Sequence, residues 1–384
     1  MPHPLAPLHV ETVRTRHGLR RFVGLPWHVY DPTRHPQWVP PLRVMVRDGL
    51  DEKHNPFYRR ASRELFLARR GSRLVGRIAA IENRAHNEFH GDRVGFYGFF
   101  ECADDQEAAG ALFDAAGTWL RARGLDTMRG PASPSFNHEC GLLVRGFRHH
   151  PMFLTPWNPR YYVHLHEGAG MRPVKNLLGY FIPVGWERYQ LPERFRRQAE
   201  RATRRQGLSF RTIDLDHYWD DAAVMWNVYN AAWERNWGFV PMTWEEFRAQ
   251  ARDLRRLIIP EFVFVAELDG RPAGFCVILP DYNQILKRIP DGRLFPTGFF
   301  KILAGKRRLR TGRIFALGVR AEYRNRGLMA LIAYEAYRRG RAYGAMGVEA
   351  SWVLEDNEAM ISPIQAAGAK VYRRWRIYER SLTG

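Results

Sequence analysis

Cysteine is scarce in this chain of 384 residues: there are three, Cys102, Cys140 and Cys276. An odd number with no C-x-x-C pair supports neither a disulfide framework nor a zinc ribbon, and a reducing, cytoplasmic setting is expected. Lysine is scarce too, six of the 59 basic residues, the rest being arginine. No run of about 18 apolar residues occurs, so no membrane-spanning helix is expected. The stretch Met1 to Arg21, broken by Pro2, Pro4 and Pro7, has no apolar segment of the kind a secretory signal needs. H-E-x-x-H, Walker A, G-x-S-x-G and G-x-G-x-x-G are all missing. His149, His150, His164 and His166 have no further ligands at metal spacing, so no metal is expected.

What is present is positive charge, a formal +19. A basic surface favours anionic partners: nucleic acid, anionic lipid or a phosphorylated cofactor. The arginine bias is also what a GC-rich coding sequence produces. With 45% apolar and 26% charged residues the chain is expected to be globular, not fibrous or disordered. At roughly 100–200 residues per domain, the length suggests two domains, or one large one.

Two stretches read alike. Phe66 to Ile81 and Phe264 to Leu279 each alternate around a polar turn and predict a β-hairpin. A further strand follows each, Val94 to Glu101 and Ile314 to Val319. An amphipathic helix comes next, Gln106 to Arg123 and Leu328 to Tyr343. Then come short strands, Thr127 to Gly130 and Gly347 to Trp352. Asn158 to Gly170 and Asn357 to Gly368 each read as a helix opened by Asn and closed by Gly. The arginine-rich Leu191 to Gly207 reads as a joining helix. The repeated order points to a duplication: one domain over 1–185, the start of a linker helix over 186–199, and a second domain over 200–384.

This order resembles the GNAT superfamily of acyl-CoA N-acyltransferases, an α/β fold on a mixed sheet, used here twice in tandem. The second half carries the more specific signature, Leu317-Gly-Val-Arg-Ala-Glu-Tyr-Arg324-Asn-Arg-Gly327-Leu-Met329. The family pattern is a strand, a loop with Arg/Gln-x-x-Gly-x-Gly/Ala, and a helix. Arg324 and Gly327 match it, while Met329 replaces the final small residue. The whole chain also resembles a bacterial group of tandem GNAT-like proteins. The shared phrases are Leu25-Pro-Trp, Trp38-Val-Pro-Pro, Gly98-Phe-Phe-Glu, Asn236-Trp-Gly-Phe-Val-Pro and Trp352-Val-Leu-Glu-Asp-Asn357. Bacterial ceramide synthases, which acylate a long-chain base, belong to or near that group.

The resemblance implies acyl-CoA as donor, held by Leu317, Gly318, Val319, Arg324, Asn325, Arg326, Gly327, Leu328, Met329 and Asn357. The physical reasons are plain. The first N–H groups of a helix lack internal partners and, with the dipole, favour a pyrophosphate. Glycine at 327 lets the backbone come close, and arginines add charge. Residues 316–319 can pair with the pantetheine amides, and an N–H near Gly318 or Val319 can hold the thioester oxygen. The equivalent first-half loop, Glu101 to Glu107, is acidic and would repel a pyrophosphate. It reads instead as a helix N-terminus stabilised by acids. One half is thus expected to bind the donor, and the other, degenerate half to form the acceptor side.

Acyl transfer to an amine needs a neutral amine, a stabilised oxyanion and a proton for the leaving thiol. The tyrosine that many GNAT enzymes use as the acid falls on Ile364, so the acid is unidentified. Glu355, Asp356 and Glu349 are candidate bases, with capping of the helix at Asn357 as the rival role of the acidic residues. Asn137 and His138, in the polar loop Ser135 to Gly141, supply an acceptor contact and a further candidate base.

Two segments point to the acceptor. The connection from Asp281 to Arg313 exceeds ordinary loop length. Its apolar part, with Phe299 and Phe300, runs into Lys306 to Arg310, which is how an interfacial segment meets anionic lipid. Trp233, Trp237 and Phe239 lie where GNAT proteins line the acceptor side. The expected activity is therefore N-acylation of a lipidic amine of the sphingoid type, at the inner face of a membrane. The alternatives are acetylation of a small polar amine, a Fem-type aminoacyl transfer from tRNA, and a non-catalytic acyl-CoA-binding module. The retained Arg-x-x-Gly loop disfavours nucleic acid.

Overall fold

The structure, a computed structural model, describes residues 6–186, 189–203 and 207–383. The side chains of Asn325 and Arg326 lie outside the described ones. The chain divides into two compact units. One comprises 1–176, 285–304 and 375–384, the other 177–284 and 305–374. The segment 285–304 departs from the second unit's sheet and is built into the first unit.

In the first unit, strands Leu8–Thr12, Ala61–Arg70, Arg73–Asn83, Val94–Cys102, Thr127–Gly130 and residues 375–381 are ordered as listed across the sheet. All pair antiparallel except Val94–Cys102 with Thr127–Gly130. The helix Gln106–Arg121 buries Ala108, Ala109, Leu112, Phe113, Ala116 and Leu120, the three-to-four spacing of one helix face. Gly76 and Gly95 let it close on the sheet, because a Cβ there would stand 2.6 Å from a Leu112 methyl and 2.4 Å from one of Leu120. The helix begins as expected: Asp105 accepts from the Ala108 N–H and is paired with Arg70. Asn158 does not open the next helix, Tyr161–Gly168. Its amide instead bonds both the N–H and the C=O of Leu143, and so fixes the strand Leu142–Arg145.

The second unit orders residues 177–182, then strands Gly347–Leu354, Thr311–Val319, Arg271–Pro280, Val263–Leu268 and Leu208–Thr212. Only Gly347–Leu354 with Thr311–Val319 is parallel. The helix Leu328–Tyr343 covers one face, with Ile332 meeting Gly274, and Glu193–Thr203 and Glu358–Ala366 pack beside it. The helix Tyr218–Trp233 covers the opposite face, with Trp233 against Gly318.

Both units share an irregularity. The parallel strands stay paired for only three or four residues, Val94–Phe96 with Thr127–Arg129 and Thr311–Ile314 with Gly347–Ala350. Each first strand then carries one extra residue against its antiparallel neighbour. In one the slip lies between Gly98 and Glu101, in the other at Phe315. Such a β-bulge bends the strand and re-aims its amides. The strands part there, leaving a fork.

Candidate active site

The two forks differ in what stands in them. In the first unit the chain turns back after Gly130 into its own fork, as the short hairpin Ala132–Ser133 with Glu139–Cys140. A Cβ at Gly98 would lie 1.9 Å from the Ala132 carbonyl oxygen. The amide of Phe99, the bulge residue at φ 51°, donates to Ser133 Oγ at 2.9 Å. Beyond it Glu101 is sealed by Tyr30 and Tyr162, whose phenols donate to it at 2.5 and 2.7 Å. A second donor cannot enter that fork without displacing backbone.

In the second unit the strand Gly347–Leu354 runs on and turns at Glu355 and Asp356 into the helix Glu358–Ala366. On the other prong, Phe315 to Val319 continue along Arg271–Pro280 without the parallel neighbour. A 3₁₀ turn, Ala321–Arg326, leads to Gly327 at φ 73°, and the helix Leu328–Tyr343 begins with no side-chain cap. A Cβ at Gly327 would meet nothing within 4 Å. An uncapped N-terminus facing open space suits the pyrophosphate of an acyl-CoA.

The expected donor residues divide by side chain and backbone. Leu317, Val319 and Leu328 are buried in the core, so only their main-chain groups can reach a ligand. Met329 packs partly against the same core. Gly318 is pressed by Trp233. The Arg324 guanidinium reaches back to the carbonyls of Ala231 and Ala232, at 3.3 and 2.8 Å, and latches the C-terminal turn of Tyr218–Trp233 to the loop. It braces the loop against that helix. The side chains of Asn325 and Arg326 lie outside those described. Asn357 caps Glu358–Ala366, accepting from the Met360 N–H.

Glu355 and Asp356 are exposed on the turn after the strand. His138 belongs to the first unit, where Nδ1 pairs with Ser135 Oγ at 2.8 Å, and burial pushes its pKa down to about 4. That weakens it as a base near neutrality. Asn137, beside it, donates its backbone N–H to the same Ser135 oxygen. Trp233 packs at a tilt against Tyr229 and borders the fork through Gly318, whereas Phe239 is buried against Tyr229. Trp237 is half-buried. Phe299 and Phe300 are exposed on the helix Thr297–Gly305.

Glu349, the third base candidate, anchors a cluster that its neighbours in the sequence do not announce. Ser351 donates to its Oε1 at 2.6 Å, Tyr372 and Arg373 donate to Oε2, and Arg313 donates to Ser351 Oγ at 2.9 Å. Arg313 also lies 4.4 Å from the Trp352 ring centroid. Glu349 is fully buried and Arg313 nearly so. The readable signal was Glu349 and Ser351 two apart within Gly347–Leu354, two polar side chains on one face of an otherwise apolar strand. Burial and the Glu349 carboxylate push the Tyr372 phenol far above its ordinary pKa. Among the described residues no group of three or more His, Cys, Asp or Glu is arranged to hold a metal ion.

The acetyltransferase (GNAT) family model matches residues 224–368, which span the open fork. The bacterial ceramide synthase of Caulobacter vibrioides is 34% identical, covering 98% of both chains. The Escherichia coli protein YghO is 31% identical over 97% of this chain and 95% of its own. Among solved structures, a tandem GNAT protein from the clavulanic acid biosynthesis pathway superposes with a TM-score of 0.58 at 14% identity, covering 98% of this chain and 99% of that one. A GCN5-related N-acetyltransferase from Sphaerobacter thermophilus gives 0.52 at 14% identity, covering 98% and 97%. Two forks of one construction, one open and one filled by its own chain, fit these relationships: the chain belongs to the GNAT superfamily, as a tandem acyl-CoA-dependent N-acyltransferase related to bacterial ceramide synthase and YghO.

Proposed function

We propose that this protein transfers a long acyl chain from acyl-CoA to the primary amine of a sphingoid-type lipid, forming an N-acyl lipid. The observation that carries the acceptor is the full-length relationship to a protein named bacterial ceramide synthase. The apolar helix Thr297–Gly305, with Phe299, Phe300 and Leu303 exposed, supports a lipidic substrate met at an anionic membrane surface on the cytoplasmic side.

In this reading the domain over 200–384 holds the donor and the domain over 1–185 does not. The uncapped amides at Gly327 to Met329 take the pyrophosphate, the main chain of Leu317 to Val319 takes the pantetheine, and Asn357 fixes the helix beside it. Trp233 and Trp237 border the acceptor. Glu355 or Asp356, exposed on the turn after the strand, assists deprotonation of the amine. The test is a mass-spectrometric screen of acyl-CoA chain lengths against long-chain amino alcohols and small polar amines, read as free thiol and N-acyl product. Turnover of long-chain amines is expected. Turnover of small amines alone would replace the acceptor, and none with any pair would make the protein an acyl-CoA-binding module.

A further inference from the structure

In the first unit Arg77 and Glu101 are register partners on adjacent strands, next to the pair Gly76 and Cys102. Gly76 faces Leu112 of the helix Gln106–Arg121. Side chains alternate along a strand, so Arg77 and Glu101 turn to the opposite face, where they meet Phe22 and Tyr30.

The seal over Glu101 is incomplete. The phenols of Tyr30 and Tyr162 both donate to the same oxygen, Oε2. Oε1 has Arg77 Nη2 at 3.6 Å, too far for a hydrogen bond, and the Glu101 side chain keeps 17% of its surface accessible. Arg77 is only 4% exposed. Its Nη1 donates to the Phe22 carbonyl at 2.7 Å, and its Nε has no hydrogen-bond partner among the described residues. A guanidinium presents its donors in a rigid fork, and here the fork stands beside Oε1 without closing on it. A buried donor left unpaired is costly. One unused acceptor and one unused donor thus sit on neighbouring groups. Their complement is a ligand with a donor and an acceptor on neighbouring atoms.

The rings around this pair set the rest of the ligand. Tyr30 is stacked on Trp38 with centroids 4.6 Å apart, and His35 and Trp157 stand 5.9 and 6.1 Å from it. His35, Trp38 and Trp157 are all half-buried. Trp38 meets Trp27 edge-on at 5.6 Å, and Trp27 donates to the Pro290 carbonyl at 2.7 Å. Aromatic rings therefore run from Glu101 to the segment 285–304, which carries the exposed Phe299 and Phe300. Such rings favour a cation near the carboxylate and an apolar chain beyond it.

We propose that the first unit carries a binding site of its own for a long-chain amino alcohol, with the head at Glu101 and Arg77 and the tail along Trp38 and Trp27. The ammonium donates to Glu101 Oε1, and the adjoining hydroxyl oxygen accepts from Arg77 Nε. Tyr30 and Tyr162 hold the carboxylate by its other oxygen. The site binds and makes no covalent bond. The proposal rests on the reading of the acceptor as a long-chain amine, and it gives that lipid a holding place apart from the donor fork.

The experiment is calorimetry on the full chain without acyl-CoA, with a long-chain amino diol below its micelle concentration as the probe. The amine-free diol of equal chain length is the control. The wild type should prefer the amino diol on the order of 10–100-fold, the worth of a hydrogen bond to a charged group. Glu101→Gln should erase most of that preference and leave the control's affinity unchanged, a coupling that a packing role would not produce. Because this variant leaves Arg77 without its counter-charge, thermal unfolding is followed beside it. Trp38→Leu, at a half-buried ring, supplies a second variant and should weaken both ligands through the tail. A preference that survives Glu101→Gln, equal weakening of both ligands by it, or Trp38→Leu without effect overturns the proposal. Turnover of long-chain amines alongside such a result leaves the acyltransferase reading standing without this site. The expected binding pattern with turnover of small amines alone keeps the site and replaces the acceptor. A wild type that neither binds nor turns over the amino diol removes both.

Discussion

Gly327 shows how much of the proposed donor site rests on one residue. Its φ of 73° is costly for any side chain, and the space before it is open. Gly327→Asp adds strain and a negative charge where a pyrophosphate is expected. Donor affinity should fall strongly, while stability should fall only by the backbone strain, about 1–2 kcal/mol, because a Cβ there meets nothing else in the fold. Calorimetry with acyl-CoA, paired with thermal unfolding, separates the two effects, and unaltered affinity would remove the loop from the donor site. Arg324 differs in kind: its bonds to the Ala231 and Ala232 carbonyls make it a brace for the helix Tyr218–Trp233. His138 and His166 act at the same scale through protons. Burial lowers both to about 4 in the folded state, against about 6.5 in the unfolded chain. The unfolded state therefore binds more protons between pH 6.5 and 4, and stability falls as pH drops through that window. His166→Gln should flatten this slope in acid-unfolding curves followed by tryptophan fluorescence. An unchanged slope would show that His166 titrates normally.

At the scale of elements, the duplication was legible and its consequence was not. The two hairpins, the helices Gln106–Arg121 and Leu328–Tyr343, and the strand Thr127–Gly130 all follow from alternation and periodicity. The acidic loop at Asp105 was readable as a helix cap, because N-capping is local chemistry. The filling of the first fork was hidden. It depends on where Ala132 and Ser133 return in space, and nothing in Gly130 to Cys140 states that distance. Asn158 misled for the same reason: an Asn before a helix looks like a cap, but its partner Leu143 lies 15 residues upstream. Arg313, Ser351 and Tyr372 come from three strands, and only the sheet unites them. The filled fork makes a prediction. Gly98→Ala places a methyl inside the van der Waals radius of the Ala132 carbonyl, a backbone atom that cannot swing aside. It should destabilise the first unit by about 2 kcal/mol or more, in the range of overpacked cores. Denaturant unfolding within error of wild type would mean that the hairpin can lift out of the fork.

For the whole molecule, the formal charge of +19 acquires meaning only once its arginines are located. Many are engaged inside the fold, as Arg313, Arg324 and Arg339 are. Lys306, expected to face a membrane, instead donates to the carbonyls of Arg256 and Ile258. The segment 285–304 shows a different pattern. Trp27 and Arg43 anchor it by bonds to the Pro290 and Asp291 carbonyls. Its far side leaves Phe295, Phe299, Phe300 and Leu303 exposed at 68, 44, 67 and 65%. Arg288, Arg293 and Lys301 are exposed on the same segment. A soluble partner is not required to explain four large apolar side chains among cations, since an interfacial helix has this composition. No helix among the described residues is long and apolar enough to cross a membrane, so attachment through this segment would be peripheral. Three cations near an anionic surface supply about 1 kcal/mol each, weakening with salt, and the aromatic rings add apolar burial that salt does not screen. Co-sedimentation with phosphatidylglycerol vesicles should therefore fall in two ways. Replacing Arg288, Arg293 and Lys301 by Gln should lower it at low salt only, while Phe299→Ser with Phe300→Ser should lower it at both low and high salt. Wild-type protein that stays in the supernatant with anionic vesicles at low salt would remove the membrane from the proposed function. A lipidic acceptor would then have to reach the fork through water, which favours a small polar amine instead.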